Sequence, residues 1–262
     1  MAEARKWRVW AKRLSWLAAV LVVGGIAAAI IGALGSGREL WDFRVGFKFL
    51  RWSFYAVAAG GVLAIVAAIA ARRGAARLAI VNLVILGIAL AYCLYMGNMY
   101  RSARAAVPIH DVTTNVDDYP RFYRLTVRED NLSAIPDLGR RDLAALPPRE
   151  RWKAVHRIAY PDLQSIRLQG EVDQIVRRAE ALARERGWEV VTVDPREGVV
   201  EAVDTSRWFR FKDNVIVRVR PLSDQAGAAM VDMRSISRVG VSDTGVNARR
   251  IRDFLRDLSN GG

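Results

Sequence analysis

VDMRSISRVGVSDTGVNARRIRDFLRDL, from Val231 to Leu258, decides how the carboxy-terminal half of this chain is read. Its opening alternates as a strand does, with Met233, Ser235 and Ser237 on one face and Arg234, Ile236 and Arg238 on the other. Gly240 and Gly245 bracket a turn containing Ser242 and Asp243. Asp243 or Thr244 is placed to cap a last helix, along which Val246, Ile251, Phe254, Leu255 and Leu258 recur. Asn247, Arg249 and Arg250 fall in the first turns of that helix. Backbone amides at a helix start, beside arginine forks, suit a phosphate or a carboxylate. The expected ligand site is therefore Arg234, Ser235, Ser237, Arg238, Ser242, Asp243, Asn247 and Arg250. The same residues also have a purely structural reading. Asp243 caps the helix, and Arg234 or Arg238 pairs with Asp232, Asp213 or Asp204 across the sheet.

Working backwards, AAMVDMRSIS, NVIVRVRPL, GVVEAVDTS and WEVVTVD read as strands, with turns at Pro195–Gly198 and Asp224–Gly227. Val172, Ile175, Val176, Ala179, Leu182 and Ala183 recur at helical spacing, and Gly187 closes that helix. QSIRLQG ahead of it is a candidate short strand. The architecture expected over 105–262 is α+β: a helix, an antiparallel four-stranded meander and a closing helix. Trp208, Phe209 and Phe211 form an aromatic surface at a turn between strands, open to insertion at a membrane face or to lining an apolar cleft, with packing beneath the closing helix the favoured expectation. Between Ala106 and Leu163, proline and Asx signals predict a turn-rich lead-in and short helices broken at Pro147, Pro148 and Pro161. This stretch is expected to wrap the folded core.

The amino-terminal part obeys a different rule. No residue is charged between Arg13 and Arg38, between Arg51 and Arg72, or between Arg77 and Arg101. A helix rising about 1.5 Å per residue needs roughly 20 residues to cross a bilayer's hydrocarbon. Three spans are expected within 1–104, at about 14–36, 52–71 and 78–100. The first is too long for a signal-peptide core and reads as a retained anchor. Gly24, Gly25, Ala28, Gly32, Gly60 and Gly61 suit close helix approach. No acid, base or histidine lies inside a span, which disfavours transport. Between the first two spans, Trp41, Phe43, Phe47, Phe49 and Trp52 mix with Arg44, Lys48 and Arg51, which reads as a surface segment in the headgroup layer.

Charge supports the same division. The formal net charge is +13, of which residues 1–100 carry +9 and residues 101–262 only +4. The excess flanks apolar segments, so it marks topology rather than a nucleic-acid footprint. With the N-terminus inside, the cytoplasmic flanks hold Arg5, Lys6, Arg8, Lys12, Arg13, Arg72, Arg73 and Arg77, against Arg38, Arg44, Lys48, Arg51, Arg101 and Arg104 opposite. The chain after about Tyr100 is thereby expected outside the cytoplasm, in the periplasm of a two-membrane bacterium. The lone Cys93 lies in an apolar run, so no disulfide framework or zinc ribbon is available.

PIHDVTT (Pro108–Thr114), WFRFKDNVIVRV (Trp208–Val219) and RSISRVGVSDTGVNARRI (Arg234–Ile251) together resemble the family catalogued as domain of unknown function number fourteen ninety-nine. The three-span leader resembles that family's membrane-anchored bacterial branch. The family's pattern opens its phenylalanine-rich turn with two aspartates; here Asp213 is followed by Asn214. The resemblance implies a fold and a membrane location, and brings no catalytic residues or cofactor.

Enzyme motifs are missing. His110 and His156 have no HExxH spacing, Ser235 and Ser237 lack a nucleophile elbow, and no phosphate loop or dinucleotide fingerprint occurs. No catalytic residue, metal or cofactor is assigned. The expected role is binding an anionic envelope ligand, such as a lipid headgroup, or a protein partner close to the membrane. The competing readings are an envelope hydrolase or transferase using the arginine–serine–aspartate cluster, and an assembly platform formed with copies of itself or another membrane protein.

Overall fold

The computed structural model describes residues 2–72 and 75–261, with side chains from Trp7 onward. Among the cations counted for orientation, the side chains of Arg5 and Lys6 and all of Arg73 lie outside the described residues. The chain divides into a helical unit, up to Ser102 together with Arg207–Arg210, and a second unit formed by Ala103–Ser206 and Phe211–Gly262.

Among the described residues the helical unit has three helices, α1 (Ala2–Gly37), α2 (Phe43–Ala71) and α3 (Ala76–Ala105). Each is long and apolar enough to cross a membrane, over Trp7–Gly37, Phe43–Ala71 and Ala76–Ala105. The aromatic and basic stretch between the first two expected spans is helical from Phe43 and opens α2. Asp42 accounts for that start, because its carboxylate accepts from the Arg44 amide at 2.8 Å. Small residues let α1 and α2 close on each other. A Cβ at Gly25 would come within 2.8 Å of Val57, and one at Gly60 within 2.7 Å of Val22. Two polar links attach α3: Asn82 Nδ2 donates to Ser15 Oγ at 2.7 Å, and the Ser53 and Tyr92 hydroxyls meet at 2.6 Å.

Among the described residues the second unit holds a six-stranded sheet, two strands more than the expected meander. Its strands are β1 (Asp111–Thr113), β2 (Ile166–Gln169), β3 (Glu189–Asp194), β4 (Val199–Thr205), β5 (Lys212–Pro221) and β6 (Ala228–Ser237). Strands β3 to β6 form the expected meander, in order β6-β5-β4-β3. The extra strands both pair antiparallel with the outer side of β6, β2 along Ala228–Val231 and β1 along Arg234–Ile236.

One face of the sheet carries Val200, Ala202, Val215, Val217, Val219, Val231 and Met233 into the main core. Two amphipathic helices cover it, α6 (Val172–Glu185) and α7 (Val246–Asn260), and Trp188 stacks on Phe254 at 5.1 Å between ring centroids. Two short helices from the lead-in, α4 (Arg141–Ala144) and α5 (Pro148–Ala159), complete that core with Leu143, Trp152 and Val155. Pro148 opens α5, where its missing N–H costs nothing.

The opposite face is more polar. Glu201, Asn214, Asp232 and Arg234 are buried there beside Ile216 and Ile236. Three of these polar groups fix part of the irregular segment between β1 and α4. Glu201 accepts the amides of Tyr123, Arg124 and Leu125, Asn214 Nδ2 donates to Thr126 O at 2.9 Å, and Arg234 Nη1 donates to Pro120 O at 3.2 Å. The lead-in thus wraps the core as a strap held by side chains of the sheet.

Candidate functional site

The β6 alternation separates the signature residues by face. Arg234 lies under the strap, where Nε and Nη2 make a bidentate pair with the Asp111 carboxylate at 2.9 and 2.7 Å. Its guanidinium carbon stands 4.2 Å from the centre of the Tyr119 ring. Asp111 is fully buried and also accepts from Asn131 Nδ2 at 2.6 Å. His110 Nε2 reaches Asn131 Oδ1 at 3.0 Å, and Trp152 Nε1 donates to Asp111 O at 2.9 Å. The partner of Arg234 is therefore on β1, not among Asp204, Asp213 and Asp232.

Ser235 and Ser237 point to α7 and meet Asn247. Ser235 Oγ donates to Asn247 Oδ1 at 2.7 Å, and Asn247 Nδ2 donates to Ser237 Oγ at 3.0 Å and to His110 O at 2.9 Å. Arg250 closes this group through Asn247 Oδ1, Ser235 Oγ, Asp204 and Asp213. Asp232, on the strap side, takes Arg218 and Arg220 at 2.8 and 2.9 Å.

The α7 start is occupied from within. Its cap position is Gly245, at φ 78°, where a left-handed backbone favours glycine. Asp243 nonetheless holds the amides, accepting from Gly245 N at 2.9 Å and Asn247 N at 2.6 Å. Burial raises the Asp243 carboxyl above its ordinary range, with nearby Asp213 adding to the effect. Ser242 Oγ takes the Thr244 amide at 3.2 Å. Three aspartates, Asp204, Asp213 and Asp243, gather around Arg250 here, so an incoming anion would meet filled amides and negative charge.

Arg238 stands apart. It is exposed, and Nε donates to Asn214 Oδ1 at 2.7 Å. Its two terminal nitrogens have no partner among the described residues. They border a cleft of about 210 Å³ lined by Thr126, Arg128, Asn214 and Ile236, among others. Arg128 is already matched by Asp130 at 2.6 Å and by Gly240 O at 2.7 Å. The cation still available in this cleft is Arg238.

The serine–histidine arrangement is not assembled. Both serines bond Asn247, the His110 ring bonds Asn131, and His156 Nε2 accepts the Thr113 amide at 3.1 Å. Burial holds the His156 imidazole down at about 4, so it remains a neutral acceptor at pH 7. Among the described residues, no group of three His, Cys, Asp or Glu side chains could hold a metal ion. At the aromatic turn, Phe209 packs on Phe47 within the helical unit at 5.1 Å between ring centroids, and Trp208 is half exposed.

Asp111, Asn131 and Glu201 were not singled out by sequence reasoning. A usable signal existed for Glu201, an acid at an inward position of the apolar run VVEAV. No curated protein matches the chain. The polar network that ties strap, sheet and closing helix together begins at His110 and runs into α7, within the stretch 110–258 matched by the family described as Protein of unknown function (DUF1499), and the chain belongs to that family.

Proposed function

We propose that this is a membrane-tethered binding protein whose domain lies outside the cytoplasm and takes a phosphate- or carboxylate-bearing ligand of the envelope at Arg238. One observation carries the reading. Of the arginines in the signature segment, Arg234 and Arg250 are used in buried ion pairs, whereas Arg238 offers to a cleft two N–H₂ groups that have no partner among the described residues. A planar fork of donors is suited to two oxygens of one anion. The site keeps only part of the cluster expected from sequence. Arg238 binds, while Ser235, Ser237, Asn247 and Arg250 hold the strand against α7.

Titrating inorganic phosphate and glycerol phosphate into the full chain tests this by calorimetry. Loss of a charged hydrogen-bond donor is expected to weaken binding about tenfold or more in Arg238→Ala. A folded Arg238→Ala protein that binds either probe like the wild type would overturn the assignment. Sidedness rests on the amino-terminal basic cluster and three crossings. An alkaline phosphatase fused after Arg104 is expected to be active, and a reporter active there only in the cytoplasm would reverse the location.

A further inference from the structure

Helices α1 and α2 meet closely at some positions and part at others. Gly25 marks a contact, whereas a Cβ at Gly24 would meet nothing within 4 Å. Beside Gly24 the pair leaves a groove of about 620 Å³, walled by Leu21, Gly24 and Ala28 of α1 and by Lys48, Phe49 and Trp52 of α2. The wall is apolar apart from Lys48 and Ser53, and the Ser53 hydroxyl is already engaged with Leu50 O and the Tyr92 hydroxyl. Lys48 has no carboxylate partner among the described residues. It lies near the start of α2, in the same basic and aromatic stretch as Arg44 and Arg51, whose guanidiniums stand over Phe43 at 5.3 Å and Trp52 at 5.7 Å.

A lysine here runs its apolar stem along the groove and keeps its ammonium at the polar boundary of the bilayer. The result is a slot for hydrocarbon with one positive charge at its mouth. A second copy of the chain fits this poorly, because an apolar helix laid over the slot would bury an unpaired ammonium. We propose that the groove holds an acyl chain of an anionic phospholipid, whose phosphate sits at Lys48. This site is separate from the Arg238 cleft and does not depend on it.

The test uses the full chain in mixed micelles offered phosphatidylglycerol and phosphatidylcholine, with retained lipid counted by native mass spectrometry. The wild type is expected to retain phosphatidylglycerol preferentially. Lys48→Glu should reduce that preference at least fivefold, the scale of one basic contact with an anionic lipid surface. Gly24→Leu should fill the groove and lower retention of both lipids, with the three helices intact because nothing crowds that position. The proposal is overturned if Lys48→Glu keeps the wild-type preference. It is equally overturned if a helical Gly24→Leu protein retains lipid as before, or if a cross-linker at position 24 captures a second copy instead of lipid. The lysine variant gives its answer even if the leucine variant fails to fold.

Discussion

Arg234→Ala is expected to destabilise the domain by about 3–5 kcal/mol, the cost of leaving one member of a buried ion pair alone. The Asp111 carboxylate, fully buried, would keep only the Asn131 amide as a side-chain donor among the described residues. The stacking of Arg234 on Tyr119 and its bond to Pro120 would go with it. Whole domains are stable by only about 5–15 kcal/mol, so the change removes a large share of that margin. Replacing both partners by apolar residues, as in Arg234→Met with Asp111→Leu, removes both charges together. The double variant should lose less than either single change. Hydrogen exchange of the β6 amides in the full chain reads this out. Wild-type protection in Arg234→Ala would show that the pair is not what holds β1 to β6.

Glu201→Ala is expected to release the strap locally. Glu201 is a buried acid with no cation on it among the described bonds; it is stabilised instead by the amides of Tyr123, Arg124 and Leu125, the latter two reaching Oε2 at 3.1 and 2.9 Å. Bonds to a charged acceptor are worth about 1.5–3 kcal/mol each, less where water can replace the lost partner. Tyr123 and Arg124 are exposed, so the lower end applies and a total near 3 kcal/mol is expected. Exchange at the three amides should accelerate on the order of a hundredfold. Amides in α6 should change much less, since that helix packs on the other face of the sheet. Glu201→Gln keeps an oxygen acceptor and should recover part of the protection. Unchanged exchange at 123–125 in the alanine variant would contradict this role.

How much of this was legible in the sequence follows the physics of each signal. The three amino-terminal helices follow uninterrupted apolar runs, α6, α7 and strands β3 to β6 carry periodic apolar patterns, and each element is found where its signal lies. β1 is only Asp111–Thr113 and sits among proline and Asx residues, so no alternation could disclose it. With β1 hidden, the partner of Arg234 was hidden too, because Asp111 comes to it across 123 residues of chain. The alternation in β6 was readable, and it correctly put Ser235 and Ser237 opposite Arg234. Which arginines would be consumed by neighbours was not readable, since ion pairing depends on the fold bringing Asp204 and Asp213 to Arg250. The Phe209 contact with Phe47 likewise joins residues far apart in sequence.

Arginine ¹⁵Nε–¹H spectra of the full chain, recorded as inorganic phosphate is added, test the division of roles among Arg234, Arg238 and Arg250 most directly. The expected result is a saturable shift of the Arg238 resonance, with those of Arg234 and Arg250 unmoved because Asp111, Asp204 and Asp213 already hold them. A shift at Arg250 or Arg234 with none at Arg238 would contradict the assignment and return the anion site to the start of α7 or to the strap.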